Sequence, residues 1–253
     1  MKTFTKILGA AALALTMGAN VAVAEIKIGV AAENYPPFTT KGADGVWTGF
    51  EIDFMNALCD AMNEKCTIVE VAWDGIIPAL LGKKFDGIIS SMSITEERLK
   101  TINFSDKYYN TPAVLVAAKS MNIMADDVAG KIIGVQTSTT HANYAEKHLS
   151  AGSVKMYATF DEHNQDLVAG RVDAVVGDSI AFQDFLSSEA GSNFEVKAEL
   201  NDDAVFGPGV GVGMRKEDTE LAAKVNAAIK TIRDNGAYEA FSKKYFDFDV
   251  FGG

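Results

Sequence analysis

The chain is poor in the residues that most often announce chemistry. It has two cysteines, three histidines, two tryptophans and five prolines. His141, His148 and His163 show no metal-ligand spacing with Cys59 and Cys66, and two thiolates alone lack a third and fourth ligand. Basic side chains are also few. Lys and Arg number 23 against 34 Asp and Glu, a net charge of −11, which argues against nucleic acid and anionic membrane surfaces as partners. Beyond residue 24 no run is long and apolar enough to cross a bilayer. The glycines Gly209, Gly211 and Gly213 lack the strand–turn–helix frame and ribose-binding acid of a dinucleotide fingerprint, and read as a tightly packed strand. No metal and no cofactor is expected.

What is present begins with an export signal. Lys2 and Lys6 precede an apolar stretch from Ile7 to Met17, and Val21-Ala22-Val23-Ala24 supplies a small-residue cleavage site. Residues 1–24 are thus expected to be a signal peptide. With no lipobox cysteine near the cut, a soluble exported protein is expected rather than a lipoprotein. In an exported chain the nearby pair Cys59 and Cys66 is expected to form a disulfide, with metal binding the weaker alternative.

The pattern is α/β. Ile26, Ile28 and Val30 alternate as a strand, and Ile52, Met55, Leu58, Cys59 and Met62 fall at helical spacing. A strand over Cys66–Ala72 follows, then a short helix over Gly75–Leu81 capped by Asp74, a strand over Phe85–Ser90, and a helix opened by Thr95. This β-α-β-α-β-α order predicts mainly parallel sheets flanked by helices. The second half echoes the first. Lys131-Ile132-Ile133-Gly134-Val135 resembles Lys27-Ile28-Gly29-Val30, and Gly170-Arg171-Val172-Asp173 resembles Gly82-Lys83-Lys84-Phe85-Asp86. Two lobes of one kind are expected, residues 25–110 with 205–253 and residues 111–204. Two joining segments, near Asp106–Pro112 and Ala204–Gly213, would form a hinge.

Ligands in open α/β sheets sit beyond the carboxyl ends of strands. There the sequence gathers Glu33 and Tyr35, then Trp73, then Ser90, Ser91 and Ser93 with Arg98 beyond. In the second half it gathers Gln136, Ser138, Thr139 and Thr140, and Asp178. Arg98 falls in a helix first turn, where the dipole disfavours a cation by roughly 0.3–1 kcal/mol, so an anion is expected to meet it. Hydroxyls and helix-end amides suit a carboxylate, acids suit an ammonium, and the aromatics suit stacking. A zwitterion fits, with its carboxylate on Arg98, Ser93 and Thr139-Thr140 and its ammonium on Asp178 and oxygens near Ser91 and Ser93.

These segments resemble the periplasmic solute-binding proteins of polar amino-acid ABC importers. The resemblance rests on Tyr35-Pro36-Pro37-Phe38, Gly49-Phe50-Glu51-Ile52-Asp53, Trp73-Asp74-Gly75-Ile76-Ile77-Pro78, Ser90–Arg98, Gly134–Thr140, Gly170–Asp173 and Gly213–Asp218. It is nearest to the lysine/arginine/ornithine- and histidine-binding group, with opine-binding proteins as neighbours. It implies a two-lobed fold with a two-strand hinge, a disulfide between Cys59 and Cys66, and an ABC permease as partner. It also implies Tyr35 and Trp73 flanking the ligand side chain, Arg98, Ser93 and Thr140 on its carboxylate, and Asp178 on its amino group. Ala32 stands where basic amino-acid binders of this kind often carry an acid, with Glu33 beside it. A monomeric binder, not an enzyme, is expected. The rival readings are a cyclohexadienyl dehydratase-like enzyme, with Glu33 as general acid, and a sensor module.

Overall fold

The computed structural model describes residues 25–252. The expected signal peptide lies outside them. In chain order the strands are β1 (Ile26–Ala31), β2 (Thr40–Lys41), β3 (Trp47–Thr48), β4 (Cys66–Val71), β5 (Gly87–Ile88), β6 (Asn103–Tyr109), β7 (Ala113–Ala118), β8 (Ile132–Gln136), β9 (Ser153–Tyr157), β10 (Ala174–Asp178), β11 (Phe194–Leu200) and β12 (Val210–Met214). The helices are α1 (Phe50–Met62), α2 (Ile76–Leu81), α3 (Glu96–Leu99), α4 (Thr140–His148), α5 (Phe160–Val168), α6 (Ser179–Ser187), α7 (Asp203–Phe206), α8 (Thr219–Asp234) and α9 (Ala237–Ser242).

Two five-stranded sheets carry the fold, in the orders β4-β1-β5-β12-β6 and β11-β7-β10-β8-β9. Each is mixed rather than mainly parallel. β4, β1 and β5 run parallel, as do β10, β8 and β9, while β12 and β6, and β7 and β11, join antiparallel. The parallel halves are built from successive βα units. The antiparallel halves contain the strands on either side of the passages between sheets, which sequence periodicity does not orient. The chain passes to the second sheet between β6 and β7 and returns between β11 and β12.

The internal echo has a structural counterpart. Asp86 accepts from the Lys27 N–H at 3.0 Å, and Asp173 accepts from the Ile132 N–H at 2.8 Å. Each acid thus pins the start of a central parallel strand of its sheet. The aromatic tail packs against the first sheet's helices, with Phe246 5.1 Å and Phe241 5.5 Å from the Phe50 ring. Cys59 and Cys66 form a disulfide joining α1 to β4.

Two local expectations are corrected. Asp74 caps no helix. It lies inside a 3-10 turn, Trp73–Gly75, and α2 starts after Gly75 without a side-chain cap. The strand expected over Phe85–Ser90 shortens to β5, because Ser91 adopts a left-handed φ of 52° and turns the chain away. The glycines of β12 behave as read, for every residue of Val210–Met214 is buried. Just before it Gly207, at φ 73°, lies where a Cβ would come within 1.7 Å of the Ile94 carbonyl oxygen, so only glycine fits against the segment leading to Arg98.

Candidate functional site

A cavity of about 610 Å³, counted to its mouth, opens between the carboxyl ends of strands from both sheets. From the first sheet's side come Glu33, Tyr35, Trp73, Ser90, Ser91, Ser93 and Arg98, and from the second's Gln136, Thr139, Thr140 and Asp178. The structure therefore brings together every residue singled out from sequence except Ser138. Ser138 is exposed, at φ 59°, and reaches the site only through its carbonyl.

Arg98 is placed by α3. Thr95 caps that helix by accepting from the Arg98 N–H at 3.2 Å, which fixes the arginine in the first turn. Its guanidinium donates to the carbonyls of Ser93 at 2.9 Å and Ser138 at 3.2 Å and lies 5.6 Å from the Trp73 ring. Burial pushes it down to about 10, so it stays cationic at neutral pH, and the charges of Glu97 and Asp178 act in the opposite sense. Trp73 donates from its ring nitrogen to the Thr137 carbonyl at 3.1 Å. Its backbone N–H donates to Glu33 Oε1 at 3.3 Å, while Glu33 Oε2 is buried with no hydrogen-bond partner among the described residues.

Asp178 ends β10. The Tyr35 hydroxyl donates to its Oδ2 at 2.6 Å, and His141 Nε2 stands 3.3 Å from its Oδ1. Burial and the Asp178 charge hold the Tyr35 phenol well above its ordinary range, so it remains a donor. Tyr35 thus faces Asp178 as well as the edge of the Phe160 ring, 5.2 Å away. Thr139 caps α4, accepting from the Ala142 N–H at 3.0 Å and donating to the Gln136 carbonyl at 2.7 Å. Its hydroxyl is therefore engaged in the cap, which leaves the N–H groups at the start of α4 as its other means of meeting an anion. Gln136 donates to the Ala158 carbonyl at 3.1 Å, and the Ser90 hydroxyl accepts from the Ala31 N–H at 3.0 Å.

Sequence reasoning missed four contributors. Phe160 and His163 line the cavity from α5, where the capping box of Thr159 and Glu162 fixes the register and the i, i+3 spacing puts both on one face. That box was legible. His163 is fully buried, neither ring nitrogen has a hydrogen-bond partner among the described residues, and burial pulls it down to about 3, so it is neutral. His141 lines the wall next to Asp178. Glu51, in the first turn of α1, is 0 % exposed and holds Ser91 from behind, as described below. Among the described residues no group of three or more His, Cys, Asp or Glu is arranged to hold a metal.

Residues 26–248 match the family of bacterial extracellular solute-binding proteins, family 3, and the chain belongs to it. It is similar to an L-arginine-binding protein of Pseudomonas aeruginosa, 46% identical over 253 residues, covering 97% of each chain. It is 42% identical, over 86% of each chain, to the lysine/arginine/ornithine-binding periplasmic protein of Escherichia coli. Among solved structures, an ancestral arginine-binding protein bound to glutamine superposes with a TM-score of 0.81 at 32% identity, covering 88% of this chain and 98% of that one. The fold is the two-lobed periplasmic binding-protein fold, and the relatives compared are named as amino-acid-binding proteins.

Proposed function

We propose that this protein is the periplasmic binding component of an ABC importer for a basic amino acid, L-arginine first among them. One observation carries the reading: Arg98 and Asp178, borne on elements of different sheets, face one cavity. A zwitterion there has its carboxylate on Arg98, Ser93 and the Thr140 end of α4. Its ammonium lies on Asp178 and the oxygens of Ser91 and Ser93, and its side chain between Tyr35 and Trp73. The partnerless oxygen of Glu33 marks the place for a side-chain cation, since a buried carboxylate oxygen without a donor is costly.

The lobes comprise residues 25–110 with 205–253 and residues 111–204, hinged at the two passages between sheets. Closure is favoured by the ligand because only the closed form makes both sets of contacts. The closed monomer then docks on the permease. The names of the arginine-binding and lysine/arginine/ornithine-binding relatives support the basic ligand. Binding without turnover is the reading preferred over a dehydratase. The relevant neighbour, at 31% identity and TM-score 0.78, is an ancestral amino acid-binding protein, a precursor of cyclohexadienyl dehydratase.

Calorimetric titration with arginine, lysine, ornithine, histidine, glutamine, glutamate, octopine and nopaline tests this. Tight binding confined to the basic amino acids is expected. Preference for glutamate or for an opine overturns the assignment, and product formed from prephenate or arogenate overturns the non-enzymatic reading.

A further inference from the structure

Glu51 lies one layer behind the cavity and does not line it. It is nevertheless 0 % exposed, and its carboxylate is committed to the cavity wall. Oε1 accepts from the Ser91 backbone N–H at 2.7 Å and from the Tyr108 hydroxyl, and Oε2 accepts from the Ser91 hydroxyl at 3.1 Å. Ser91, at φ 52°, is held in a conformation that a non-glycine residue rarely adopts.

We infer that Glu51 is a positioning residue that sets the polarity of the Ser91 hydroxyl, and through it the affinity for an amino-acid ammonium group. A serine hydroxyl has one hydrogen. While Glu51 is ionised it takes that hydrogen, and the Ser91 oxygen presents only lone pairs to the cavity, as an ammonium donor requires. When Glu51 is protonated, Oε1 still accepts from the Ser91 N–H and the Tyr108 hydroxyl, so the new proton resides on Oε2 and points at the Ser91 oxygen. The hydroxyl must then turn its own hydrogen elsewhere, toward the cavity, where it opposes an ammonium.

Several groups face this carboxyl. Tyr108 and Tyr109 stand on β6, Tyr35 on the loop after β1, and Asp178 at the end of β10 across the cavity. All three phenols are held well above their ordinary range and stay neutral, which leaves Asp178 as the one nearby charge among those groups. Burial pushes Glu51 up to about 7, against the opposing pull of the bonds from Tyr108 and Ser91. The switch therefore falls near neutrality. A ligand ammonium favours the ionised form, so by linkage affinity falls as pH drops through that value.

The inference rests on the proposed amino-acid site, and the experiment separates the two. L-arginine is titrated into the native protein, Glu51→Gln and Ser91→Ala, at about pH 8.5 and about pH 5.5, with ligand-free melting recorded for each. In the Glu51→Gln variant the side-chain carbonyl oxygen must take the two donors that Oε1 holds, which turns the NH₂ toward Ser91 and locks the reversed hydroxyl. Expected at the higher pH is a loss of about tenfold or more in Glu51→Gln, the worth of a bond to a charged group. The native protein should lose a similar factor on acidification. Glu51→Gln and Ser91→Ala should lack that step. Native-like affinity and pH profile in Glu51→Gln overturn the inference, as does an undiminished pH step in Ser91→Ala should Glu51→Gln fail to fold. Failure of the native protein to bind L-arginine at either pH overturns the amino-acid reading instead.

Discussion

Replacing Arg98 by alanine should separate binding from folding. The guanidinium is the cavity's cation and is largely withdrawn from water, so its loss truncates one side of a buried, charge-assisted pair with the ligand carboxylate. Such truncations cost about 2–5 kcal/mol, which is roughly 30-fold to several thousandfold in affinity at 1.4 kcal/mol per tenfold. The ligand-free fold loses much less. Arg98 donates to two carbonyls, those of Ser93 and Ser138, each bond contributing about 1 kcal/mol net. Against that, removing a cation from the first turn of α3 relieves about 0.3–1 kcal/mol of dipole conflict. Unfolding of the ligand-free variant should therefore shift by no more than about 2 kcal/mol. Calorimetric titration with L-arginine, paired with urea unfolding of the ligand-free protein, measures both quantities. An affinity within about threefold of native, under 1 kcal/mol, refutes the carboxylate role. So does a binding loss matched by an equal loss of ligand-free stability, because the arginine would then be structural.

Asp178→Asn should keep the Tyr35 bond to one oxygen yet lose the charge an ammonium needs, weakening L-arginine by about tenfold to a hundredfold; unchanged calorimetric affinity sinks its role. Trp73→Ala should weaken arginine and lysine more than glycine or alanine, because the lost ring faces the long side chain, and an equal loss across a competition panel would make Trp73 a packing residue. Replacing both Cys59 and Cys66 by serine opens a loop spanning a sequence separation of 7, for which chain entropy gives about 2.5 kcal/mol of lost stability in denaturant unfolding. His163 is pulled by burial down to about 3 in the folded state, so the unfolded chain takes up its proton first on acidification. Its contribution is present above about pH 6.5 and is lost as pH falls toward about 3, and His163→Phe should flatten that limb of a melting-temperature profile.

The legibility of the site followed from where function sits on this fold. Arg98 stood out because it broke a local rule, a cation at the wrong helix end beside a threonine cap, and the structure gives that break a purpose by turning the guanidinium into the cavity. Asp178 and Thr140 were legible because each follows a buried strand. What escaped were residues whose role depends on orientation. Asp74 reads as a cap until the 3-10 turn replaces its helix. Glu51 could not be found by pattern, since an acid in the first turn of an amphipathic helix is ordinary and only its burial against Ser91 makes it unusual. The antiparallel halves of the sheets escaped for the same reason. Strand direction after a passage between sheets is a tertiary property, and neither the apolar run of β7 nor the alternation of β11 carries a sign of it.

The contacts that close the cavity point to how the protein is kept responsive. Among the described residues three hydrogen bonds join the two sides: Tyr35 to Asp178, Trp73 to the Thr137 carbonyl, and Arg98 to the Ser138 carbonyl. The Trp73 bond contributes about 0.5–1.5 kcal/mol net and the two that use charged groups about 1.5–3 kcal/mol each, part of which hinge ordering offsets. Two of the three use the groups assigned to the ligand's charges, Asp178 and Arg98. On the proposed reading a zwitterion adds charge-assisted bonds to both groups. Since about 5.5 kcal/mol shifts a two-state equilibrium from 1:99 to 99:1, the proposed carboxylate and ammonium contacts would together let the closed form report occupancy.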